Sequence, residues 1–257
     1  MDNIAKDSGW KKKITVLGIS AAIIIVIGFL TYGAGYRFTN NFLLGKMGKA
    51  SIEIPLAGTA VFVDESKKIV TTKDGETVSL DFSPRTHSVI VSRDGYFPWK
   101  KDFSIKSSKM LILNPLFVSQ NATGEIITAN DPEYTSIKNG IIRHATPSKE
   151  NPLISADGTM KIWLEDNAIL IQSAVSADSA SHIVIQPDTI IKNIDFYKNR
   201  TDAVMFSSGN AVYVIETTNT GGQNFMPVYK GQSPDFTRAE NSSIYVLDGA
   251  TLMEVFI

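Results

Sequence analysis

Between Ile14 and Tyr36 the chain carries no charged residue, and this stretch constrains the molecule more than any other. As a helix rising about 1.5 Å per residue it reaches roughly 35 Å, enough to cross a hydrocarbon core of about 30 Å. Eleven of its residues are Ile, Val, Leu or Phe. Each favours insertion near the bilayer centre by roughly 0.3 to 0.6 kcal/mol, more than Thr, Ser and Gly take away. Lys11, Lys12 and Lys13 abut the start of the run, whereas Arg37, Lys46 and Lys49 are scattered beyond it. That bias predicts a cytoplasmic N-terminus at 1–13, a transmembrane helix at 14–36, a linker at 37–48 and an exported remainder. A cleaved signal peptide is the alternative, although its apolar region usually spans about 7 to 15 residues before a small-residue site. Gly18 and Ala22 form a small-xxx-small pair through which two such helices could pack.

An apolar fraction of 43% is enough for a buried core, which excludes a disordered chain. The formal net charge is −1 and the basic residues are dispersed, so the sequence lacks the footprint of nucleic-acid binding. There are no cysteines, which removes disulfides, thiolate metal sites, Cys nucleophiles and lipoprotein acylation together. The exported part must be held by packing alone.

After the linker, apolar residues alternate: Ile52 and Ile54, Ala60 to Val63, Val78 with Leu80 and Phe82, Val89 with Val91, Phe103 with Ile105. A period of two predicts strands. Pro55 with Gly58, Asp74-Gly75, Ser83-Pro84 and Asp94-Gly95 separate them with residues suited to turns. Short strands at this spacing predict a small sandwich over 49–115.

Two segments here are similar to the PEGA domain, a small β-sandwich module of surface-exposed bacterial and archaeal proteins. Ile52 to Asp64, with Pro55, Gly58 and Ala60 in order, resembles that family's strand, Pro-x-Gly-Ala turn and following strand ending in Asp. Ser83 to Trp99 resembles its closing strand, with Gly95-Tyr96 and the downstream Trp99. Thr59 between Gly58 and Ala60, Glu65 in place of a Gly, and Arg85 at a position often Gly are departures. The resemblance implies a bacterial envelope protein and brings no catalytic residue with it.

Tyr96, Trp99, Lys100 and Lys101 form the candidate binding surface, because aromatic faces beside cations can hold a glycan or an anionic polymer. The competing expectation is that the aromatics fill the module's interior.

Beyond Pro115 a repeat of about 40 residues is visible over 119–257. Asp195-Phe196 leads through Ala203 to Phe206, Ser208-Gly209 and Ala211 to Ile215. Asp235-Phe236 leads through Ile244 to Leu247, Asp248-Gly249 and Thr251 to Phe256. An earlier copy runs from Asp157-Gly158 through Met160 to Leu164, Asp166-Asn167 and Ala168 to Gln172. Strand-turn-strand units of this period resemble WD40-like propeller blades, without the Gly-His and Trp-Asp signature. There is room for about three units, one short of the usual minimum for closure. The apolar Val255-Phe256-Ile257 leaves three explanations open: pairing with a strand from Ser119 to Arg143, an open sheet against the first domain, or an incomplete copy.

Residues for chemistry are sparse. His87, His144 and His182 lie far apart, with no zinc-ligand spacing. Gly231-Gln232-Ser233-Pro234 lacks the second Gly of a nucleophile elbow, and Gly221-Gly222 lacks the Lys of a phosphate loop. Asn130, Asp131 and Glu133 lack the alternation of a Ca²⁺ loop, and the tripeptides at Asn121, Asn199 and Asn241 decide nothing. The expectation is an all-β ectodomain, sandwich then propeller-like or open repeat sheet, behind one transmembrane helix, with no cofactor, metal site or catalytic residue. The expected role is envelope binding or scaffolding toward a protein or polysaccharide. An envelope-sensing ectodomain with a separate cytoplasmic partner is the second reading, and an enzyme the third.

Overall fold

The computed structural model describes residues 4–38, 44–176, 178–239 and 242–257. Residues 39–43 of the predicted linker, Ala177 in the small-residue run before His182, and Asn241 of one tripeptide lie outside the described residues. Strand is the prevailing secondary structure, in several antiparallel sheets behind one apolar N-terminal helix, which is the expected all-β class.

That helix, α1 (Ile4–Gly33), begins before the apolar run and stops three residues short of Tyr36. Gly35, at φ +82°, turns the chain out of it, and Gly35 N–H closes the end on the Tyr32 carbonyl at 3.1 Å. From Lys13 to Gly33 none of its residues is buried by the rest of the protein. Its hydroxyls bond back to their own helix, Ser20 Oγ to the Val16 carbonyl and Thr31 Oγ1 to the Ile27 carbonyl, each at 2.9 Å. The helix therefore presents an almost wholly apolar exterior.

A short hairpin follows, β1 (Tyr36–Phe38) against β2 (Leu44–Lys46). The next seven strands are β3 (Gly48–Ile54), β4 (Ala60–Val63), β5 (Lys67–Val70), β6 (Glu76–Phe82), β7 (Thr86–Ser92), β8 (Trp99–Ser104) and β9 (Met110–Leu113). The chain divides into two compact units: 1–53, 77–87 and 104–113 in the first, 54–76, 88–103 and 114–257 in the second. In the first, β6-β3-β9 form a three-stranded sheet in which β3 and β9 run parallel, Lys49 opposite Met110 and Ile52 opposite Leu113. Ala50, Ile52, Val78, Phe82 and Leu113 are among its buried residues.

In the second unit, β5-β4-β7-β8 form a four-stranded sheet. Its β4–β5 turn holds Asp64 and Glu65 at φ 48° and 60°, the left-handed pair of a tight hairpin. Glu65 thus takes, at some conformational cost, the backbone that a Gly adopts freely. Thr59 is fully buried, donating from Oγ1 to the Leu56 carbonyl at 2.7 Å.

The repeat region begins with β10 (Thr123–Ile127) and α2 (Tyr134–Ile142). No helical periodicity announces α2, because nine residues with only Ile141 buried are too few to show it. Then come β11 (Leu153–Ile154), β12 (Met160–Glu165), β13 (Ala168–Ser173) and β14 (His182–Ile185). After them lie β15 (Ile191–Phe196), β16 (Ala203–Ser208), β17 (Ala211–Glu216) and β18 (Phe225–Lys230), and finally β19 (Asp235–Arg238), β20 (Ser243–Asp248) and β21 (Thr251–Phe256). They form three four-stranded sheets, β11-β12-β13-β14, β15-β16-β17-β18 and β10-β21-β20-β19. The last chain segment is not an edge, since β21 runs between β20 and β10 with Thr123 opposite Phe256. Pairing with an upstream strand, the first of the three explanations, is the arrangement found.

The repeat has a physical basis at its Asp-Phe pairs. Asp195 and Asp235 each accept the N–H of the following phenylalanine, at 2.7 and 2.8 Å, while Phe196 and Phe236 are buried. Ile162, Ile169 and Ile171 of one sheet share a core with Ile194, Phe206 and Ile215 of the next. Asn193 Nδ2 donates to the Phe236 carbonyl at 2.6 Å and Ser207 Oγ to Asp235 at 3.1 Å, tying the second sheet to the third. Arg238 pairs with Asp195 across the same junction. Burial pushes the Asp195 carboxyl upward, and the Arg238 guanidinium opposes it.

Gly124 approaches β21 so closely that a Cβ there would lie 2.2 Å from the Glu254 carbonyl oxygen. Gly124→Val is expected to cost about 1 to 3 kcal/mol in urea unfolding, with the exposed neighbour change Glu125→Ala within about 0.5 kcal/mol.

Asp248 offers a pH test. Burial raises its carboxyl, but the Ser233 and Gln232 N–H groups and the Tyr229 hydroxyl outweigh that and leave it below the ordinary 3.8. The group therefore stabilises the fold fully above 3.8 and loses its contribution as pH falls through the lowered value. Melting temperatures of wild type and Asp248→Asn should differ most near neutral pH and converge toward about pH 2.

Candidate functional site

Strand β8 carries three of the four residues in the candidate binding surface, and its pleat separates them. Trp99, Lys101 and Phe103 face inward, and Lys100 and Asp102 face solvent. Trp99 is 2% exposed and Lys101 8% exposed, so neither ring face nor ammonium is offered to a ligand. Tyr96 is half-buried; its ring meets Phe117 edge-on at 5.9 Å and lies under the Arg93 guanidinium at 5.1 Å. The four residues do not share one solvent-facing platform, because alternate residues of a strand point to opposite sides.

What the inward face meets is Glu216, at the end of β17. Trp99 Nε1–H donates to its Oε1 at 2.6 Å, and Lys101 Nζ donates to its Oε2 at 2.7 Å. Asn224 adds its backbone N–H at 3.2 Å and its side-chain Nδ2 at 3.0 Å. Lys101 also donates to the Gly222 carbonyl at 2.7 Å. A carboxylate and an ammonium, both buried, are each satisfied by several partners, which is the condition under which a buried ion pair persists. The arrangement is a polar clamp.

The clamp extends along the backbone of β8. Asn224 Oδ1 accepts Lys100 N–H at 3.1 Å and its Nδ2 donates to the Lys100 carbonyl at 3.0 Å, replacing a neighbouring strand by one side chain. The Asp102 N–H donates to the Gly221 carbonyl at 2.7 Å, and a Cβ on Gly221 would sit 1.6 Å from the Asp102 oxygen. Gly221 thus serves close backbone approach, and Gly222 holds a left-handed backbone at φ +97°. Nearby, Arg200 donates to the Pro115 and Asn114 carbonyls at 3.0 and 2.8 Å while paired with Asp202 at 2.7 Å, and the buried Tyr197 hydroxyl donates to the Phe117 carbonyl at 3.2 Å. The segment that leads into the repeats is bolted down by these contacts.

The histidines each engage carbonyl oxygens: His87 Nε2 that of Ser83 at 2.8 Å, His182 Nε2 that of Thr217 at 3.0 Å, and His144 those of Ile141 and Lys192 at 2.6 and 3.0 Å. Among the described residues no group of three His, Asp or Glu side chains converges as a metal site. Asp131 accepts the backbone N–H and hydroxyl of Thr128, an ordinary turn. An open hollow of about 850 Å³ lies over β19 to β21, edged by Arg238, Ser243, Tyr245 and Glu254. There Ser243 Oγ donates to Glu254 Oε1 at 2.5 Å, and no histidine is among the described lining residues.

Glu216 is the residue sequence reasoning misses. The signal available was indirect: Lys101 alternates in phase with Trp99 and Phe103, and a lysine on the buried side of a strand demands an acidic partner. Glu216→Ala should strand the Lys101 ammonium and cost about 3 to 5 kcal/mol in thermal or urea unfolding. Lys100→Ala, on the exposed side, should stay within about 0.5 kcal/mol.

No family model and no curated protein matches the chain. Among solved structures it is similar to a protein of unknown function from Bacteroides fragilis, named as membrane-associated, at 12% identity over 82% of this chain and 100% of that one. The TM-score of 0.23 is too low to mark a common fold.

Proposed function

We propose that the chain is a membrane-anchored, non-catalytic binding or scaffolding protein of the cell envelope, with its β region on the outer side. The observation that carries this reading is the helix from Lys13 to Gly33, none of whose residues is buried by the rest of the protein. Residues such as Leu17 at 74% and Phe29 at 74% exposure need an apolar solvent, and a bilayer supplies one. The second unit supports a presenting role because the junctions between its sheets are closed by satisfied polar contacts, which hold its loops in place for display. The PEGA-like segments would act as a spacer next to the membrane, and the propeller-like repeats would carry the partner surface. A glycan or an envelope protein is the class of partner intended.

A reporter fusion tests the topology. Alkaline phosphatase joined after Ile257 should be active, and a cytoplasm-dependent fluorescent reporter at the same point should be dark; the reverse pattern overturns the reading. Affinity capture of the detergent-solubilised chain on peptidoglycan, glycans and envelope proteins then assigns the partner.

A further inference from the structure

At the point where α1 ends, the first unit folds back on itself and brings four lysines to one corner. Gly35 accepts the Met47 N–H at 3.1 Å, and the Met47 carbonyl in turn accepts the Ser108 N–H at 3.1 Å. Lys49 N–H donates to the Lys109 carbonyl at 2.9 Å, beside the Lys49–Met110 pair that opens the β3–β9 ladder. These bonds hold the turn 106–109 and the starts of β3 and β9 against the residue that leaves the helix. Lys46, Lys49, Lys106 and Lys109 are all exposed there, and Met110 is 63% exposed. A cavity of about 210 Å³ opens between Gly35, Met47, Lys49, Asp81 and Met110. Asp81 is the acidic residue lining it, so the corner is positive on balance.

Two lengths place this corner. Gly35 stands two residues beyond the helix end at Gly33, at most about 7 Å of chain. The polar layer on each side of a bilayer is roughly 5 to 8 Å deep. A corner bonded directly to Gly35 therefore sits at headgroup level once the helix is in the membrane.

Resting on the anchor reading above, we propose that this corner is a second, peripheral membrane contact: Lys46, Lys49, Lys106 and Lys109 bind the phosphates of anionic phospholipids while Met110 dips into the interface. Lysine ammonium groups are compact donors suited to phosphate, and each one near an anionic bilayer strengthens the attraction about fivefold at low salt. The apolar side chain among them favours a lipid surface over free phosphate in water. The helix alone leaves the first unit free to tilt, whereas helix and corner together hold it in one attitude to the membrane.

The absence of native cysteine makes a clean test possible. Ser107→Cys, in the lysine turn, and Thr77→Cys, on β6 away from that end, are each labelled with an environment-sensitive dye in the full-length chain. The chain is incorporated into nanodiscs of phosphatidylcholine alone, or with about one third phosphatidylglycerol, and neutral acrylamide quenches from water. The expected result is quenching at Ser107 reduced about threefold or more in the anionic discs, restored by high salt and by the Lys49→Glu/Lys109→Glu variant, with Thr77 unchanged. Quenching at Ser107 that ignores lipid charge, or that the double variant leaves as it was, overturns the proposal and leaves the anchor standing. Failure of the chain to enter discs of either lipid overturns the anchor and, with it, the corner.

Discussion

The carboxylate of Glu216 is the point on which the second unit depends. A charge that is almost fully enclosed costs several kcal/mol unless its lone pairs are filled, and four donors from Trp99, Lys101 and Asn224 fill them. Meeting that demand sets where β8 must lie, because Trp99 and Lys101 reach Glu216 only from one register. It also settles a second problem. Strand β8 is the end of the sheet β5-β4-β7-β8, and an open edge invites pairing with foreign strands. The Asn224 amide and the Gly221 carbonyl occupy that edge group by group, so the contact that neutralises the buried charge also caps the sheet.

The repeats solve a related problem with uniform means. In each of the three sheets the central hairpin closes through a two-residue loop: Asp166-Asn167, Gly209-Asn210 and Gly249-Ala250. The loop residues, or in the third sheet the strand residue just before the loop, then reach the chain entering or leaving a sheet. Asn167 bonds the Pro187 and Thr189 carbonyls and the Ile191 N–H, the Asn210 carbonyl accepts Gly231 N–H, and Asp248 accepts the Gln232 and Ser233 N–H groups. Polar turns are thus both hairpin ends and staples, and they stand in for the disulfides that a chain without cysteine cannot form. Strand β10, borrowed from upstream, completes the third sheet and takes β21 off the edge.

How much of this was legible in the chain depends on the range of each interaction. The strands around Ile52, Val89, Val204 and Val246 follow from alternation and turn residues within a few positions, and the 40-residue repeat shows itself because the same local demands recur. Helix α2 was not legible, since its single buried side chain leaves no period to read. The candidate surface at Tyr96, Trp99, Lys100 and Lys101 illustrates the limit most plainly. Residue type suits a platform as well as core packing, the favoured expectation for the aromatics; Trp99 is buried as that expectation has it, and Lys101 turns inward with it to a partner more than a hundred positions away.

By itself the sequence determined what depends on composition and short spacing: an apolar helix long enough to cross a bilayer, a β-rich remainder, and units of strand, turn and strand. The reason is that hydrophobic period, turn chemistry and chain length act locally and carry the same meaning in any context. Tertiary structure alone decided which strand shields the last one, which carboxylate meets the inward lysine, and which lysines gather beside Gly35. Those outcomes depend on surfaces brought together from distant parts of the chain, and on the cost of leaving a charge or a sheet edge uncovered, neither of which is written at any one position.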